Sequence, residues 1–350
     1  MNLRNSILKF SVGLIALAFS GPVQSQSDQP TSVVATFSIL GDMVARVGGE
    51  HISLTTLVGP NGDAHVYKPT PADARAVSQA QVLFVNGLEF EGWLDRLIDA
   101  SDFNGSKVVT TAGVTAIKFS EDDHHDDDEH HDDEHHEDED GHDEKEHDDD
   151  DHGDEEHAEQ GHEDEEDEHG HHHGTFDPHA WQSLENAIIY IDNITAALAK
   201  SDPENASHFY QNRAKYVAEL ESLKAEISAL MAAIPEEKRT VVTSHDAFGY
   251  FAASHNLNFE APQGMSTESE ASAQDVASLI KQIRAESVTA VFVETITDNR
   301  LLEQIARETG ARIGGTLYSD ALSGPEEPAS TYVDMMRHNA TTLSEALSPN

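Results

Sequence analysis

Seven histidines stand outside one histidine-crowded stretch of the chain: 51, 65, 179, 208, 245, 255 and 338. Three of them share a setting. His65 follows a β-branched run and a Gly/Pro turn and precedes a helix start near Pro71. His179 comes directly after Asp177-Pro178 and is expected in the first turn of a helix. His245 follows the run 240–243, with Ser244 as a possible cap. Each is expected where the chain leaves a sheet and enters a helix, the edge at which open α/β sheets bind ligands. The positive end of a helix also disfavours imidazolium, leaving the neutral ring that binds metal. Asp320, just past the run 312–317, is a fourth candidate at the corresponding edge of the second half. Three imidazoles and one carboxylate form a nitrogen-rich set of four, suited to tetrahedral Zn²⁺ with Zn–N distances of about 2.0–2.1 Å. Mn²⁺ would favour more carboxylate. A single histidine at a helix start is otherwise an ordinary surface residue. The case rests on three in equivalent settings plus an acid, and His51, His208, His255 and His338 lack that setting.

The elements that would position these residues are legible as an alternation. Strands are predicted at 33–37, 52–58, 82–86 and 107–110, with helices at 39–47, from Thr70-Pro71 onward and at 93–100. Thr70, Pro71 and Asp73 have the form of a capped helix start. After the crowded stretch, helices are predicted over 181–200 and from Ser201-Asp202-Pro203-Glu204 to Pro235. The second has a stripe at Val217, Leu220, Leu223, Ile227, Leu230, Met231 and Ile234. At about 30 residues it exceeds the usual globular helix and would bridge the two halves. The rhythm then repeats, with strands at 240–243, 257–259, 288–294 and 312–317 and helices at 247–255, 273–285, 301–309 and 328–347. The expected fold is α/β: two lobes with parallel sheets joined by one long rigid helix, the metal site in the cleft between them. The lobes would span 31–200 and 236–350, with the linking helix at 201–235.

Charge sets the crowded stretch apart. Lys plus Arg number 21 and Asp plus Glu 66 among 350 residues, a formal net charge of −45. Residues 121–173 hold 31 of those acids, one lysine and 15 of the 22 histidines, and so carry two thirds of the charge. Such an acidic chain is a poor partner for nucleic acid or an anionic membrane surface. Residues 120–174 have almost no apolar residue, so they cannot offset ordering entropy and are expected to be a disordered insertion in the first lobe. Their imidazoles and carboxylates without fixed geometry would bind several ions weakly. The plainer alternative is a solvated acidic linker.

Residues 1–25 read as a secretory signal peptide: Arg4 and Lys9, the apolar run 10–19, then a cleavage site near Val23-Gln24-Ser25. The chain contains no cysteine, which excludes disulfides, thiolate ligands and a lipid-modified cysteine. The expectation is a free, monomeric exported protein in the periplasm of a double-membrane bacterium, with no membrane anchor.

Four segments carry a resemblance: GPNGDAHVYKPTPAD (59–73), FDPHAW (176–181), SHDAFGYFA (244–252) and TLYSDAL (316–322). In this order they resemble the periplasmic zinc-binding subunits of ABC importers, within the metal-receptor class of solute-binding proteins that also includes manganese and iron receptors. The likeness spans 31–119 and 175–347. It implies two α/β lobes joined by a long helix and metal ligands at His65, His179, His245 and Asp320. A Glu at the third position is typical of manganese receptors of this class, so His245 implies zinc. A His- and acid-rich insertion at this place also belongs to the zinc branch. Some zinc receptors carry a cysteine pair absent here, and some use water or Glu as the fourth ligand.

The expected function is therefore capture of Zn²⁺ in the periplasm and delivery to the membrane permease of an ABC importer. The insertion would recruit zinc or sense its level. No P-loop is present, so ATP hydrolysis would lie on a partner chain. Alternatives are a Mn²⁺ or Fe²⁺ receptor and a zinc buffer or chaperone without a transporter. A zinc hydrolase is disfavoured: there is no His-Glu-x-x-His helix, and four protein ligands would leave no corner for water. Binding is expected to weaken below about pH 6, as imidazoles of reference pKa about 6.5 take up protons.

Overall fold

A computed structural model describes residues 29–118 and 175–348. The expected leader over 1–25 and the insertion over 120–174 lie outside the described residues.

The alternation of β-branched runs and amphipathic segments gives two parallel sheets. The first is built from β1 (Thr31–Phe37), β2 (Ile52–Val58), β3 (Val82–Val85) and β4 (Ser106–Val109), in the order β2-β1-β3-β4. The second is built from β5 (Thr240–Val242), β6 (Asn258–Glu260), β7 (Ala290–Glu294) and β8 (Arg312–Leu317), in the order β6-β5-β7-β8. All pairings between these strands are parallel. Both lobes thus repeat one winding, in which the chain reverses direction after the second strand and crosses back over the first. The crevice at such a reversal, beyond the carboxyl ends of the strands, is where open sheets take ligands.

Helices cover the sheets for local reasons. In α1 (Ser38–Gly48), Ile39, Leu40, Met43, Val44 and Val47 form the buried stripe. Gly41 lets this helix lie against β2, because a Cβ there would come within 2.5 Å of Thr56 Oγ1. The helix α2 (Pro71–Gln79) starts as the sequence predicts: Thr70 Oγ1 accepts from the Asp73 amide, while Asp73 accepts from the Thr70 amide. Next comes α3 (Leu94–Ser101), then α4 (Leu184–Ser201) and α5 (Ala206–Ala232). The second lobe carries α6 (Gly249–His255), α7 (Ala273–Glu286), α8 (Arg300–Thr309) and α9 (Tyr332–Leu347).

Three local starts differ from expectation. Asp202 does not open α5; it closes α4, and its carboxylate accepts from the amide and side chain of Asn205, the residue before α5. His179 does not lie in the first turn of an α-helix. It precedes a short 3-10 turn at Ala180–Gln182, and α4 begins only after Ser183, whose hydroxyl accepts from the Asn186 amide. Ser244 caps nothing, because α6 starts at Gly249 and a turn intervenes.

At 27 residues, α5 carries the chain from the first sheet to the second. Its buried face, Phe209, Tyr216, Leu220, Leu223, Ile227 and Met231, packs on α1 and α4 of the first lobe and on α9 of the second. One continuous apolar core runs from Val34 and Phe84 through Leu220 and Leu223 to Phe292 and Leu343. A smaller core under α7 and α8 holds Leu279, Ile283, Leu302 and Ile305. No helix among the described residues is long and apolar enough to cross a membrane.

Candidate metal centre

The fold brings all four predicted residues together. His65, His179, His245 and Asp320 each offer a donor atom, and the four atoms lie within 4.8 Å of one another. His65 stands on the loop after β2, His245 just after β5 and Asp320 just after β8, so three of the four come from carboxyl ends of strands. His179 comes from the segment leading into α4. Two donors therefore belong to each lobe.

Asp320 is the hub. Its Oδ2 is 3.1 Å from His65 Nε2 and 3.2 Å from His245 Nε2. Its Oδ1 faces His179 Nε2 across 3.6 Å, too far for a hydrogen bond, and neither atom has another partner. A fully buried nitrogen and oxygen left unpaired at one point carry a desolvation cost that a shared cation would remove. His179, His245 and Asp320 are inaccessible to solvent, and only the His65 side chain keeps 5 % exposure. Phe90 and Trp181 wall the centre, with ring centres 4.7 Å from His65 and 5.3 Å from His179 respectively.

The far side of two rings is held by carboxylates that sequence reasoning passed over. His179 Nδ1 bonds Asp177 Oδ1 at 2.8 Å, and the same oxygen accepts the His179 amide. His245 Nδ1 lies 2.7 Å from Glu294 Oε2, while Glu294 Oε1 accepts the amides of Ser244 and His245. A carboxylate beside Nδ1 favours the proton there and leaves Nε2, the nitrogen that faces Asp320, free to bind a cation. The signal for Glu294 was an acid closing an otherwise apolar strand at a position beside β5. For Asp177 it was an acid two residues from a candidate ligand.

Carboxylates, and not helix ends, dominate the electrostatics of these rings. Burial disfavours the charged form of His179, but Asp320 and Asp177 outweigh it and raise the pKa to about 9. Burial likewise opposes charge on His245, and Glu294 with Asp320 lifts it well above the ordinary imidazole value. Asp320 is pushed up by burial, yet His245 and His179 hold it well below the carboxylate range. No helix N-terminus keeps these rings neutral. The neighbouring carboxylates favour imidazolium, so an entering cation must displace protons.

The loops that carry the donors are braced by hydrogen bonds. Trp93 Nε1 donates to Ala64 O beside His65. Asn86 donates to Pro178 O and accepts from Tyr190 OH, fixing the turn before His179. Trp181 Nε1 and Gln182 Nε2 both donate to Ser319 O, tying the His179 turn of one lobe to the Asp320 loop of the other. His51 and His208, which lack the setting of the other three, lie with ring centres 4.6 Å apart, outside the four-residue cluster. His255 rests on Phe251, and His338 bonds Thr316 O.

Comparison with known proteins places this geometry. The family described as zinc-uptake complex component A, periplasmic, matches residues 33–346. The iron ABC transporter substrate-binding lipoprotein MtsA of Streptococcus pyogenes serotype M1 is 30% identical over 336 residues, covering 95% of this chain and 94% of that protein. The manganese-binding lipoprotein MntA of Halalkalibacterium halodurans is 28% identical over 325 residues, 93% of this chain and 91% of its own length. Two of these relatives are named lipoproteins, whereas this sequence has no cysteine. Among solved structures, the Mn-bound periplasmic metal binding protein of Candidatus Liberibacter asiaticus superposes with a TM-score of 0.70 at 27% identity, covering 91% of this chain and 99% of that one. The periplasmic zinc binding protein TroA of Treponema pallidum shares the fold, with a TM-score of 0.74 at 24% identity over 92% of this chain and 100% of its own. The chain therefore belongs to the zinc-uptake complex component A periplasmic family, the metal-binding solute receptors of ABC importers.

Proposed function

We propose that the cargo of this receptor is Zn²⁺, held by His65, His179, His245 and Asp320 and passed to the permease of an ABC importer. The convergence of three imidazole Nε2 atoms and one carboxylate within 4.8 Å carries the reading. Three nitrogens and one oxygen suit a borderline cation in tetrahedral geometry, whereas Mn²⁺ prefers more oxygen donors. A cation would pair the buried His179 Nε2 and Asp320 Oδ1, which have no other partner, and offset the charge of the carboxylates around it. Four protein donors fill a tetrahedral shell, which argues for carriage rather than hydrolysis, since a catalytic zinc keeps a corner for water.

The alternative is a manganese or iron receptor, favoured by the names of the relatives at 28–30% identity. Affinity in vitro separates these poorly, because zinc outranks manganese at most nitrogen and oxygen sites. The decisive measurement is the metal recovered with the full chain from the periplasm of its own host, together with the metal limitation that stops growth when the chain is deleted. Zinc in both supports the reading. Manganese or iron in both overturns it.

The tract at 121–173 fits a role in recruiting zinc or sensing its level. Its flanks support this placement. Lys118 and Phe176 pair in an antiparallel bridge, and the next residue, Asp177, accepts from His179 Nδ1. Both flanks therefore stand next to the His179 turn. Export to the periplasm is part of the same proposal.

A further inference from the structure

His65 is the one donor of the four that keeps contact with solvent, and its loop is strapped to the opposite lobe. The straps are few and specific. The Asn61 amide donates to Leu322 O at 2.8 Å, and Asn61 Nδ2 donates to Glu327 Oε2 at 3.2 Å. Asp63 does two things at once. Its Oδ1 accepts the His65 amide at 2.9 Å, and its Oδ2 accepts Thr267 Oγ1 from the second lobe at 2.6 Å. Thr267 lies on the segment after β6, where Gln263 pairs with His245 and accepts the Asp246 amide. One carboxylate thus connects the backbone of a first-lobe donor to the loop that flanks a second-lobe donor.

Resting on the reading of His65 as a cargo ligand, we infer that Asp63 is a positioning residue that couples contact between the lobes to retention of the metal. While Thr267 holds Oδ2, the Asp63 side chain is fixed and Oδ1 presents the His65 amide, and so the ring, toward Asp320. When the lobes part at Thr267, the carboxylate is released and the outermost ligand loses its support. The permease needs only to separate these two loops to weaken the site from its solvent side. The three buried donors need not move first. The strap steadies a donor already on the ion and offers no donor of its own to an arriving one, so its loss is expected to act on dissociation more than on association.

The chain has two tryptophans, Trp93 beside Ala64 and Trp181 beside His179, and both lie at the centre. Tryptophan fluorescence of the full chain therefore reads this site and not the tract. Zinc release into excess chelator, followed by stopped flow, is expected to be about tenfold faster in Asp63→Ala and several-fold faster in Thr267→Val, the scale of losing a hydrogen bond to a charged group. Association should stay within about twofold of the parent on the same scale. Thr267→Ser keeps the hydroxyl and should restore slow release. In a His65→Ala background, Asp63→Ala should add nothing. Parental release rates in both Asp63→Ala and Thr267→Val would overturn the inference while leaving the ligand set standing. So would an Asp63 effect that persists in full without His65. Unchanged zinc release in His65→Ala itself would overturn the ligand reading, and the inference with it. Thr267→Val and Thr267→Ser sit on the other lobe, so the test survives an Asp63 variant that fails to fold.

Discussion

His179 and His245 each stand between two carboxylates, one at either ring nitrogen. With a pKa near 9 for His179 against a reference of about 6.5, the ion-free protein keeps this imidazole protonated at neutral pH. A metal ion binding at His179 therefore competes with protons up to about pH 9, not merely below the expected pH 6. The same shift fixes the sign for stability. A raised folded pKa contributes in full below the unfolded value of about 6.5 and is lost as pH climbs through about 9. Asp320 acts in the opposite sense: its depressed pKa stabilises above the reference of 3.8 and is lost as pH falls through its lower folded value. Thermal unfolding of the metal-free protein should show the melting temperature declining from pH 6.5 toward 9 as His179 loses its proton. The increment added by zinc should grow over the same interval. A zinc increment independent of pH there would contradict the charge state assigned to His179.

At the scale of elements, the long helix offers the cleanest test. Leu223 is buried on α5, the helix that packs on α1 and α4 of one lobe and α9 of the other, and its replacement by alanine should cost about 2–5 kcal/mol, measured by denaturant unfolding. A loss well under 1 kcal/mol would mean that α5 is not the shared wall of the core. This helix was legible from its three-to-four spacing, and the strands from short β-branched runs such as 33–37 and 82–85, which are buried on both faces and so show no alternation. Helix starts were legible only where the capping residues left one option. Thr70 with Pro71 and Asp73 did so. Around His179, both Asp177 and Ser183 could cap, and the carboxylate went to the ligand while the serine took α4. Asp202 and Asn205 posed the same ambiguity before α5. The four donors were legible because His65, His245 and Asp320 follow predicted strands, at the carboxyl edges of the two sheets. Glu294 was not, because its partner His245 lies 49 residues away and only the adjacency of β5 and β7 brings them together.

Across the whole molecule, a single apolar core spans both lobes through α1, α4, α5 and α9. Interfaces of that kind hold domains rigid, so opening is expected in the loops around the centre and not as a wide hinge of the lobes. The charge-dense tract stands apart from this core in sequence. Removal of residues 121–173 should leave one tightly held zinc, read by metal analysis, and unfolding free energy within about 1 kcal/mol of the full chain. Loss of the tight zinc on that deletion would show that the tract supplies a ligand to the centre. An unchanged total zinc load would refute a chelating tract.

The pairing of Lys118 with Phe176 gives the receptor a closed seam where the tract departs. Doubling the number of residues strung between two such anchored points costs only about 0.6 kcal/mol. Selection can therefore lengthen, shorten or recompose the sequence beyond the seam almost without reference to the folded body, and an engineer could splice in a foreign reporter at the same join.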